Sequence, residues 1–358
     1  MGVLKNYKAA IFGIAGQSLS PEEKDFFQQE KPVGFILFSR NIANKQQVQK
    51  LVHDLRKTID NPNAPILIDQ EGGRVARLRA PTWYSPSPAA IFGKIAGYNL
   101  DDAKRACALN TKLIAKDLLE LGINVDCAPV ADVPVKGAHD VIGDRAFSYD
   151  KEIVTQLARV TIDSFVKQNI TPIIKHIPGH GRATADSHLK LPIVDADYKT
   201  LQKTDFYPFK NINNVKWAMT AHIIYNTIDP KNPATQSSRV INEIRSTIGF
   251  EGLIVTDAIT MQALSGSMGE RADKSFKAGC DLAIHSNGNL NEMLDVIKYT
   301  PILTNSQIKL LNSSCSIGDS SRLEDSDIKA ELNHILKKYN SNENNRANLQ
   351  DPTENIIY

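Results

Sequence analysis

The sequence predicts an α/β protein folded as a (β/α)8 barrel of the TIM type in a single domain. Short apolar runs rich in Val and Ile alternate with longer segments of helical periodicity, which is the pattern of a parallel sheet covered by helices. Eight such runs over about 300 residues suit a closed barrel better than an open sheet. Polar residues close five of the runs, at the end where such barrels carry their catalytic groups. These residues are Asp69, His176, His222, Asp257 and His285.

The individual elements follow from the spacing of apolar residues. Strands are predicted at residues 9–14, 33–38, 65–69, 124–128, 171–176, 216–222, 252–257 and 280–285. Helices are predicted at residues 46–58, 101–121, 151–168, 196–209, 241–248, 271–278 and 290–298. The pattern weakens later, where residues 328–338 form one more candidate helix and the following Asn-rich stretch is too polar to build a core. We therefore expect a barrel at 1–303, a helical segment packed on it at 304–340 and a disordered tail at 341–358.

The composition is that of an ordinary globular protein. The 358 residues include 42 Lys and Arg against 40 Asp and Glu, and 42% are hydrophobic. A near-neutral charge without basic clusters argues against a nucleic-acid partner. No apolar run approaches the roughly 20 residues of a membrane span. Residues 9–16 are apolar, but polar and acidic residues follow without a cleavage site, so we expect a buried strand and not an export signal.

The cysteines Cys107, Cys127, Cys280 and Cys315 lie far apart, with no C-x-x-C pair. This spacing indicates buried free thiols and no zinc or redox site. Together with the absence of an export signal, it predicts a cytoplasmic protein. We expect no cofactor and favour a monomer.

The densest group of reactive side chains is KHIPGHG at residues 175–181. His176 and His180 have the four-residue spacing of a helical zinc pair, but Pro178 and Gly179 between them disfavour a helix. No Glu follows His176 as that motif requires. We therefore predict no metal site here, and the simplest role for His180 is a hydrogen bond within a tight loop.

Three carboxylates outside that stretch are candidates for chemistry. Asp186 stands two residues before His188, so it can orient the imidazole and stabilise its cationic form for proton transfer. Asp257 closes an apolar strand, where it either caps the next helix or acts as a nucleophile. Asp69 begins the stretch DQEGGRVAR, whose glycines permit a tight turn and whose arginines suggest a polar clamp. The alternative for Glu71 and Arg74 is an internal ion pair that supports the loop.

Four motifs occur in order over about residues 9–288: IDQEGGRVARL, IGDRAFS, KHIPGHGRATADSH and IVTDAITM. Together they resemble the glycoside hydrolases of family 3, and most nearly the single-domain bacterial β-N-acetylglucosaminidases of that family. The KH-I-PGHG stretch followed by Asp-Ser-His is typical of this branch. The β-glucosidases of the family usually take their acid/base carboxylate from a second domain.

The resemblance implies a retaining exo-β-N-acetylglucosaminidase. Asp257 would be the nucleophile, His188 the general acid/base, and Asp186 the partner of that histidine. The sugar would be bound by Asp69, Arg77, Arg145, Lys175 and His176. Cytoplasmic members of the family release terminal N-acetylglucosamine from 1,6-anhydro-N-acetylmuramyl muropeptides in cell-wall recycling. A peptidoglycan-derived saccharide is therefore the expected substrate.

Three positions depart from the family pattern. Ile177 replaces Phe, Arg182 stands where an acidic or small residue is frequent, and Ala146 replaces Ser. None of them removes a catalytic group, and Arg182 is a candidate contact for an acidic aglycone. Four rival hypotheses stay open at this point: a β-glucosidase or broader β-hexosaminidase, a phosphorolytic variant, a metal-dependent barrel hydrolase and a non-catalytic sugar-binding barrel.

Overall fold

Eight parallel strands close into a barrel in the computed structural model, which describes residue 4, residues 6–315 and residues 325–339. The strands are β1 (Lys8–Gly13), β2 (Pro32–Leu37), β3 (Ile66–Ile68), β4 (Val125–Asp126), β5 (Thr171–Ile177), β6 (Trp217–Thr220), β7 (Leu253–Ala258) and β8 (Leu282–His285). Their order around the barrel is their order in the chain. The barrel closes where β8 pairs with β1 and Ala10 lies opposite Ala283. The predicted fold class is confirmed.

Helices surround the barrel. They are α1 (Pro21–Glu30), α2 (Lys45–Thr58), α3 (Ala89–Ala96), α4 (Leu100–Leu121), α5 (Lys151–Lys167), α6 (Tyr198–Lys203), α7 (Phe206–Asn211), α8 (Ser238–Ser246), α9 (Met268–Ala278), α10 (Leu290–Lys298), α11 (Asn305–Ser314) and α12 (Asp325–Tyr339). Two small sheets lie outside the barrel. One pairs Gln70–Gly72 with Val75–Ala76, directly after β3, and the other pairs Ile193–Val194 with Ile224–Tyr225.

The strands contain apolar residues on both faces because both faces are covered. Every residue of β2 and of β5 is buried. One face fills the barrel interior and the other packs against the helices, as in other parallel sheets. Lys175 in β5 is a charged residue with only 2% of its surface exposed. A buried charge requires partners, and its partners lie in the cavity described below.

The strand predictions all overlap the observed strands, but the helix predictions differ in two ways. The predicted helix at 196–209 is two helices, α6 and α7, with a break at Thr204 and Asp205. Helices α1 and α3 were not predicted, and α11 was predicted only as part of the helical segment at 304–340. For α1 the sequence did hold a signal, since Ser20 and Glu23 form a capping box and Pro21 starts the helix.

The C-terminal part of the described chain packs on the outside of the barrel. Helix α12 lies against α4, where Arg105 binds Glu331 and Lys338 binds Asp102 at 2.7 Å. Leu332 of α12 is buried in the same contact. Residues 341–358, the predicted tail, lie outside the described residues. In the described ranges, none of the helices has the length and apolar character needed to cross a membrane.

The cysteines are as expected from their spacing. All four are buried and none forms a disulfide. Burial raises the pKa of Cys107 to about 12, so its thiol is protonated and unreactive at neutral pH.

Candidate active site

A polar cavity opens at the carboxyl ends of the barrel strands and encloses about 500 Å³, part of it open to solvent. Its wall brings together six of the eight residues predicted to form the site: Asp69, Arg145, Lys175, His176, His188 and Asp257. Apolar surface is supplied by Phe38, Val141 and Met219. The other two predicted residues, Asp186 and Arg77, lie behind this wall and bind His188 and Asp69 respectively.

Asp257 is near the end of β7, and three imidazoles lie close enough to affect its charge. Its Oδ1 accepts the N–H of Ala258 at 2.7 Å. Burial opposes ionisation of this carboxyl. The imidazoles of His222, His176 and His188 outweigh that effect and hold the pKa of Asp257 below its usual value. The group is therefore a carboxylate at neutral pH, as a nucleophile must be.

The alternative role for Asp257, capping the next helix, is wrong. Residue 257 lies within β7, and helix α9 begins only at Met268. The cap of α9 is Ser267, which accepts the N–H of Glu270 in a complete capping box. Asp257 has no capping role, so another role must account for its charge in the cavity.

Asp186 and His188 form the expected carboxylate–imidazole pair. The ring Nδ1 of His188 lies 2.7 Å from Asp186 Oδ1, and the main-chain N–H of His188 donates to the same oxygen at 2.9 Å. Burial opposes ionisation of Asp186, but these hydrogen bonds with His188 lower its pKa below the usual value. Because Nδ1 is held by the carboxylate, Nε2 is the ring nitrogen left for chemistry.

Residues 178–189, named the 178–189 loop below, carry this pair and are held to several other parts of the protein by hydrogen bonds. Gly181 accepts the N–H of Val135 at 3.2 Å. Arg182 donates to the buried carboxylate of Asp205 at 2.7 Å. The carbonyl of His188 accepts the N–H of Gln262 at 3.3 Å. Arg182, considered above as an aglycone contact, is thus already bound to a protein carboxylate and fastens the loop beside α7.

Beneath the cavity lies a cluster of buried opposite charges. Lys175 Nζ lies 2.8 Å from Asp69 and 2.6 Å from Glu71. Glu71 also accepts two hydrogen bonds from Arg145, at 2.9 and 2.8 Å. Burial alone would lower the pKa of Lys175, but the two carboxylates raise it above its usual value. The charges of Asp69, Lys175 and Arg145 are therefore fixed.

The ion pair considered for Glu71 and Arg74 is wrong in its partners. Glu71 binds Arg145 and Lys175, whereas the Nε atom of Arg74 lies 2.8 Å from Asp144. Although burial works the other way, Arg145 and Lys175 lower the pKa of Glu71 to about 2. Glu71 is thus a permanent carboxylate that holds two of the predicted sugar-binding residues together.

Asp126 at the end of β4 is also a buried acid, but its pKa is raised, whereas that of Glu71 is lowered. Its Oδ1 accepts the N–H of Gln70 at 3.0 Å, and its Oδ2 is buried with no hydrogen-bond partner among the described residues. Burial, with the nearby negative charges of Asp69 and Glu71, raises the pKa of Asp126 to about 8. The group is therefore mainly protonated at neutral pH, and it spares the cluster another negative charge.

His176 and His180 share one carboxylate. Asp132 is fully buried and lies 2.7 Å from the ring Nδ1 of His176, and its other oxygen accepts the N–H of His180. The Nε2 of His180 lies 3.0 Å from Ser187 Oγ. The predicted loop hydrogen bond of His180 is confirmed. In the part of the chain that the structure describes, no group of three or more His, Cys, Asp or Glu side chains is placed to hold a metal ion.

Two residues at strand ends do not belong to the cavity wall. His222 is fully buried, with its ring nitrogens on Thr235 at 2.7 Å and on the carbonyl of Ala258 at 3.1 Å. Burial lowers the pKa of His222, and the negative charge of Asp257 opposes this effect. His285 binds Glu292 at 2.9 Å, and the neighbouring Ile284 faces the cavity instead.

Sequence reasoning missed three residues of the site. Asp132 follows the apolar run APVA, so the rule that selected Asp69 and Asp257 would also have selected it. Glu71 was considered only as a loop support. Ser187 carried no signal of its own, because a serine between two catalytic candidates has no distinctive pattern.

Comparison with known proteins places the chain in a family. The profile described as the glycosyl hydrolase family 3 N-terminal domain matches residues 8–314. The chain therefore belongs to family 3 of the glycoside hydrolases, as its motifs indicate. The β-hexosaminidase of Alkalilimnicola ehrlichii is 36% identical to it over 287 residues, covering 77% of this chain and 80% of the relative. That of Methylococcus capsulatus is 34% identical over 319 residues, covering 87% and 90%.

Solved structures of other proteins have the same fold as this chain. NagZ from Neisseria gonorrhoeae, in complex with N-trifluoroacetyl-D-glucosamine, superimposes with a TM-score of 0.84 at 26% identity, covering 94% of this chain and 99% of NagZ. A family 3 β-N-acetylglucosaminidase from Paenibacillus sp. FPU-7 has a TM-score of 0.76 at 26% identity, covering 99% of this chain and 67% of that one. The whole barrel is therefore shared.

Proposed function

We propose that this protein is a retaining exo-β-N-acetylglucosaminidase that removes N-acetylglucosamine from the non-reducing end of β-linked saccharides. The observation that carries the proposal is the arrangement of one cavity. An ionised Asp257 lies in the same wall as His188, whose Nδ1 is held by Asp186. A nucleophile and an oriented acid/base on one cavity are what double displacement requires.

In the first step, the carboxylate of Asp257 attacks the anomeric carbon. The glycosidic oxygen takes the proton from Nε2 of the His188 imidazolium, and the aglycone leaves as a neutral alcohol. Asp186, which is ionised, stabilises the cationic ring in this state. The product is a glycosyl-enzyme ester on Asp257.

In the second step, His188 is neutral and its Nε2 accepts a proton from water. The resulting hydroxide attacks the anomeric carbon from the opposite side and displaces Asp257 as a carboxylate. Two inversions restore the β configuration. A histidine thus does the work that a second carboxylate does in the usual retaining pair.

The sugar hydroxyls and the acetamido group are proposed to bind Asp69, Arg77, Arg145, Lys175 and His176. Ion pairs within the protein support this assignment. Buried carboxylates hold the cations in place, so donors and acceptors are ordered before the sugar arrives. The acetamido preference is supported by the similarity to NagZ, which was solved with an N-acylated glucosamine.

The finer part of the proposal concerns the natural substrate. We assign 1,6-anhydro-N-acetylmuramyl muropeptides, a cytoplasmic location and a monomeric state, which together describe a recycling enzyme. Mass spectrometry of digests of N-acetylglucosaminyl-1,6-anhydro-N-acetylmuramyl peptide tests the substrate. Cell fractionation and light scattering test the other two, and faster cleavage of chitobiose than of the muropeptide would contradict the recycling role.

The deciding experiment compares 4-nitrophenyl β-N-acetylglucosaminide with the matching β-glucoside. Wild-type protein is expected to cleave the first and not the second. Asp257→Ala is expected to lose on the order of 10⁴-fold or more of kcat. His188→Ala is expected to lose about 10²–10⁴-fold. Release of sugar 1-phosphate in phosphate buffer would instead establish the phosphorolytic variant, and a loss of activity in EDTA would favour a metal-dependent hydrolase.

A further inference from the structure

We propose that His180 and Ser187 form a latch that holds the 178–189 loop closed and so positions the imidazole of His188. Both are positioning residues, since they act through His188. The inference rests on the proposed acid/base role of His188.

The latch is a hydrogen bond between two buried side chains. His180 Nε2 lies 3.0 Å from Ser187 Oγ, and each residue has only 2% of its surface exposed. The bond joins the beginning of the loop, just after β5, to the segment between Asp186 and His188. Breaking it while both side chains stay buried leaves a polar group without a hydrogen-bond partner, which is unfavourable. The bond therefore favours the closed position of the loop.

One side of the latch is fixed to the barrel. The main-chain N–H of His180 donates to Asp132 at 2.6 Å, and Asp132 also holds the ring of His176. Asp132 has no exposed surface, so this side has little freedom to move. The same carboxylate therefore connects the latch to a residue proposed to bind the sugar.

The other side of the latch lies in the least buried part of the loop. Among residues 184–190, all of which the structure describes, Ser187 is the buried one. Leu189, next to His188, is 59% exposed. The carbonyl of His188 accepts a long hydrogen bond from Gln262, at 3.3 Å. Ser187 is therefore the side chain that anchors this segment.

The latch does not depend on pH in the working range. Burial, together with the neighbouring His176, lowers the pKa of His180 to about 3. The ring is neutral near pH 7, so its bond with Ser187 persists while a catalytic imidazole changes its charge. His180 therefore has a different role from His188, the proposed acid/base, although both histidines lie on one loop.

Position matters for the acid because proton transfer requires a heavy-atom distance of about 2.6–3.2 Å. A displacement of about 1 Å costs on the order of 10²-fold in rate. This loss of rate occurs only when the leaving group must be protonated as it departs. A loose latch should therefore slow substrates with poor leaving groups and spare those with good ones.

The experiment measures kcat/KM, which reports the first step, for a series of aryl β-N-acetylglucosaminides. The leaving groups are 3,4-dinitrophenol, 4-nitrophenol and phenol. For Ser187→Ala we expect a loss of less than about 3-fold with the dinitrophenyl substrate, rising to about 10²-fold with the phenyl substrate. Ser187→Thr, which keeps the hydroxyl, is expected to restore most of the phenyl rate.

The matched control is Ser275→Ala in α9. Ser275 is fully buried and its hydroxyl donates to the carbonyl of Arg271 at 2.8 Å, so this change also removes one buried hydrogen bond. We expect no dependence on the leaving group. Should Ser187→Ala fail to fold, His180→Asn removes the same bond from the other side and is measured in the same series.

The outcomes separate the latch from the proposed function. A steep dependence on the leaving group in both His188→Ala and Ser187→Ala supports the latch. A steep dependence in His188→Ala with a flat or absent loss in Ser187→Ala overturns the latch and leaves the acid/base in place. A flat response in His188→Ala overturns the acid/base role and the latch with it.

Discussion

Asp186 Oδ1 accepts two hydrogen bonds from His188, one from the ring at 2.7 Å and one from the main chain at 2.9 Å. A single oxygen therefore fixes both the backbone and the side chain of the proposed acid/base. The imidazole ring of His188 cannot flip without losing the hydrogen bond between its Nδ1 and Asp186. Orientation and charge stabilisation come from the same atom.

Asp186→Asn tests the charge separately from the orientation. The amide oxygen can still accept the main-chain N–H, but it no longer favours the imidazolium. We expect kcat/KM to fall by about 10–10³-fold and its alkaline limb to move to lower pH. Asp195→Asn is the control, because Asp195 is exposed and the amide oxygen can still accept its hydrogen bond from Asn226. An unchanged pH profile in Asp186→Asn would contradict the role of the charge.

Glu71→Gln removes the carboxylate shared by Arg145 and Lys175. Leaving a buried cation without its partner is expected to cost about 3–5 kcal/mol of unfolding free energy. It should also raise KM, because two proposed sugar-binding groups lose their support. Urea unfolding and steady-state kinetics measure the two effects. Glu120→Gln, which breaks the partly exposed pair with Lys45, is expected to cost less than about 1 kcal/mol.

The stability difference between wild type and Glu71→Gln should depend on pH. The folded pKa of Glu71, about 2, lies below the usual 4.5, so the carboxylate stabilises the fold fully above pH 4.5. That contribution is lost as the pH falls toward 2. The difference in unfolding free energy is therefore expected to be larger at pH 7 than at pH 3.5. Equal differences at the two pH values would contradict the assignment.

Asp126→Asn should have the opposite dependence. The folded pKa of Asp126 is raised to about 8, so the folded state binds more protons than the unfolded state between about pH 4 and 8. Stability from this group consequently falls as the pH rises through that window. Asn stays neutral, so the variant should gain melting temperature relative to wild type as the pH increases from 5 to 8.5. A constant offset between the two proteins would contradict the raised pKa.

Gly181→Ala tests how closely the 178–189 loop packs against the rest of the protein. A Cβ at this position would lie 2.0 Å from the carbonyl oxygen of Val133, which is backbone and must move. We expect kcat/KM to fall by about 10-fold or more because the loop carrying His188 is displaced. Gly16→Ala is the matched control, since the nearest atom to its Cβ is 4.0 Å away. Its activity is expected to equal that of wild type.

The barrel could be predicted because each strand is buried on both faces. A run such as residues 171–176, TPIIKH, has an apolar centre and a polar carboxyl end, and that signal is local. Helix α1 was missed because only Phe26, Phe27 and Glu23 are buried in it, which is too few for a clear periodicity. The break at Thr204 and Asp205 was missed although the sequence holds a local signal for it, because Pro208 has no N–H to donate to the carbonyl of Thr204.

The site residues were likewise predictable only where the signal was local in the sequence. Asp257, Asp186 and His188 could be picked out from motifs because their proposed roles require fixed residue types. The partners of Glu71 were not, because Arg74 is near in sequence whereas Arg145 and Lys175 reach it only through the closed barrel. Ser187 is adjacent to His188 in the sequence, but its hydrogen bond with His180 is a property of the folded loop.

The pairing of Ala10 with Ala283 has a consequence for synthesis of the chain. All other neighbours in the barrel are consecutive strands, so this seam is the contact that joins the two ends of the barrel sequence. At about 5–20 residues per second, the ribosome releases β8 roughly 14–55 s after β1. Until then the nascent sheet has two open edges, which are templates for association with other chains. Newly made protein therefore depends on the last strand for protection, and a chain cut short before residue 282 should aggregate.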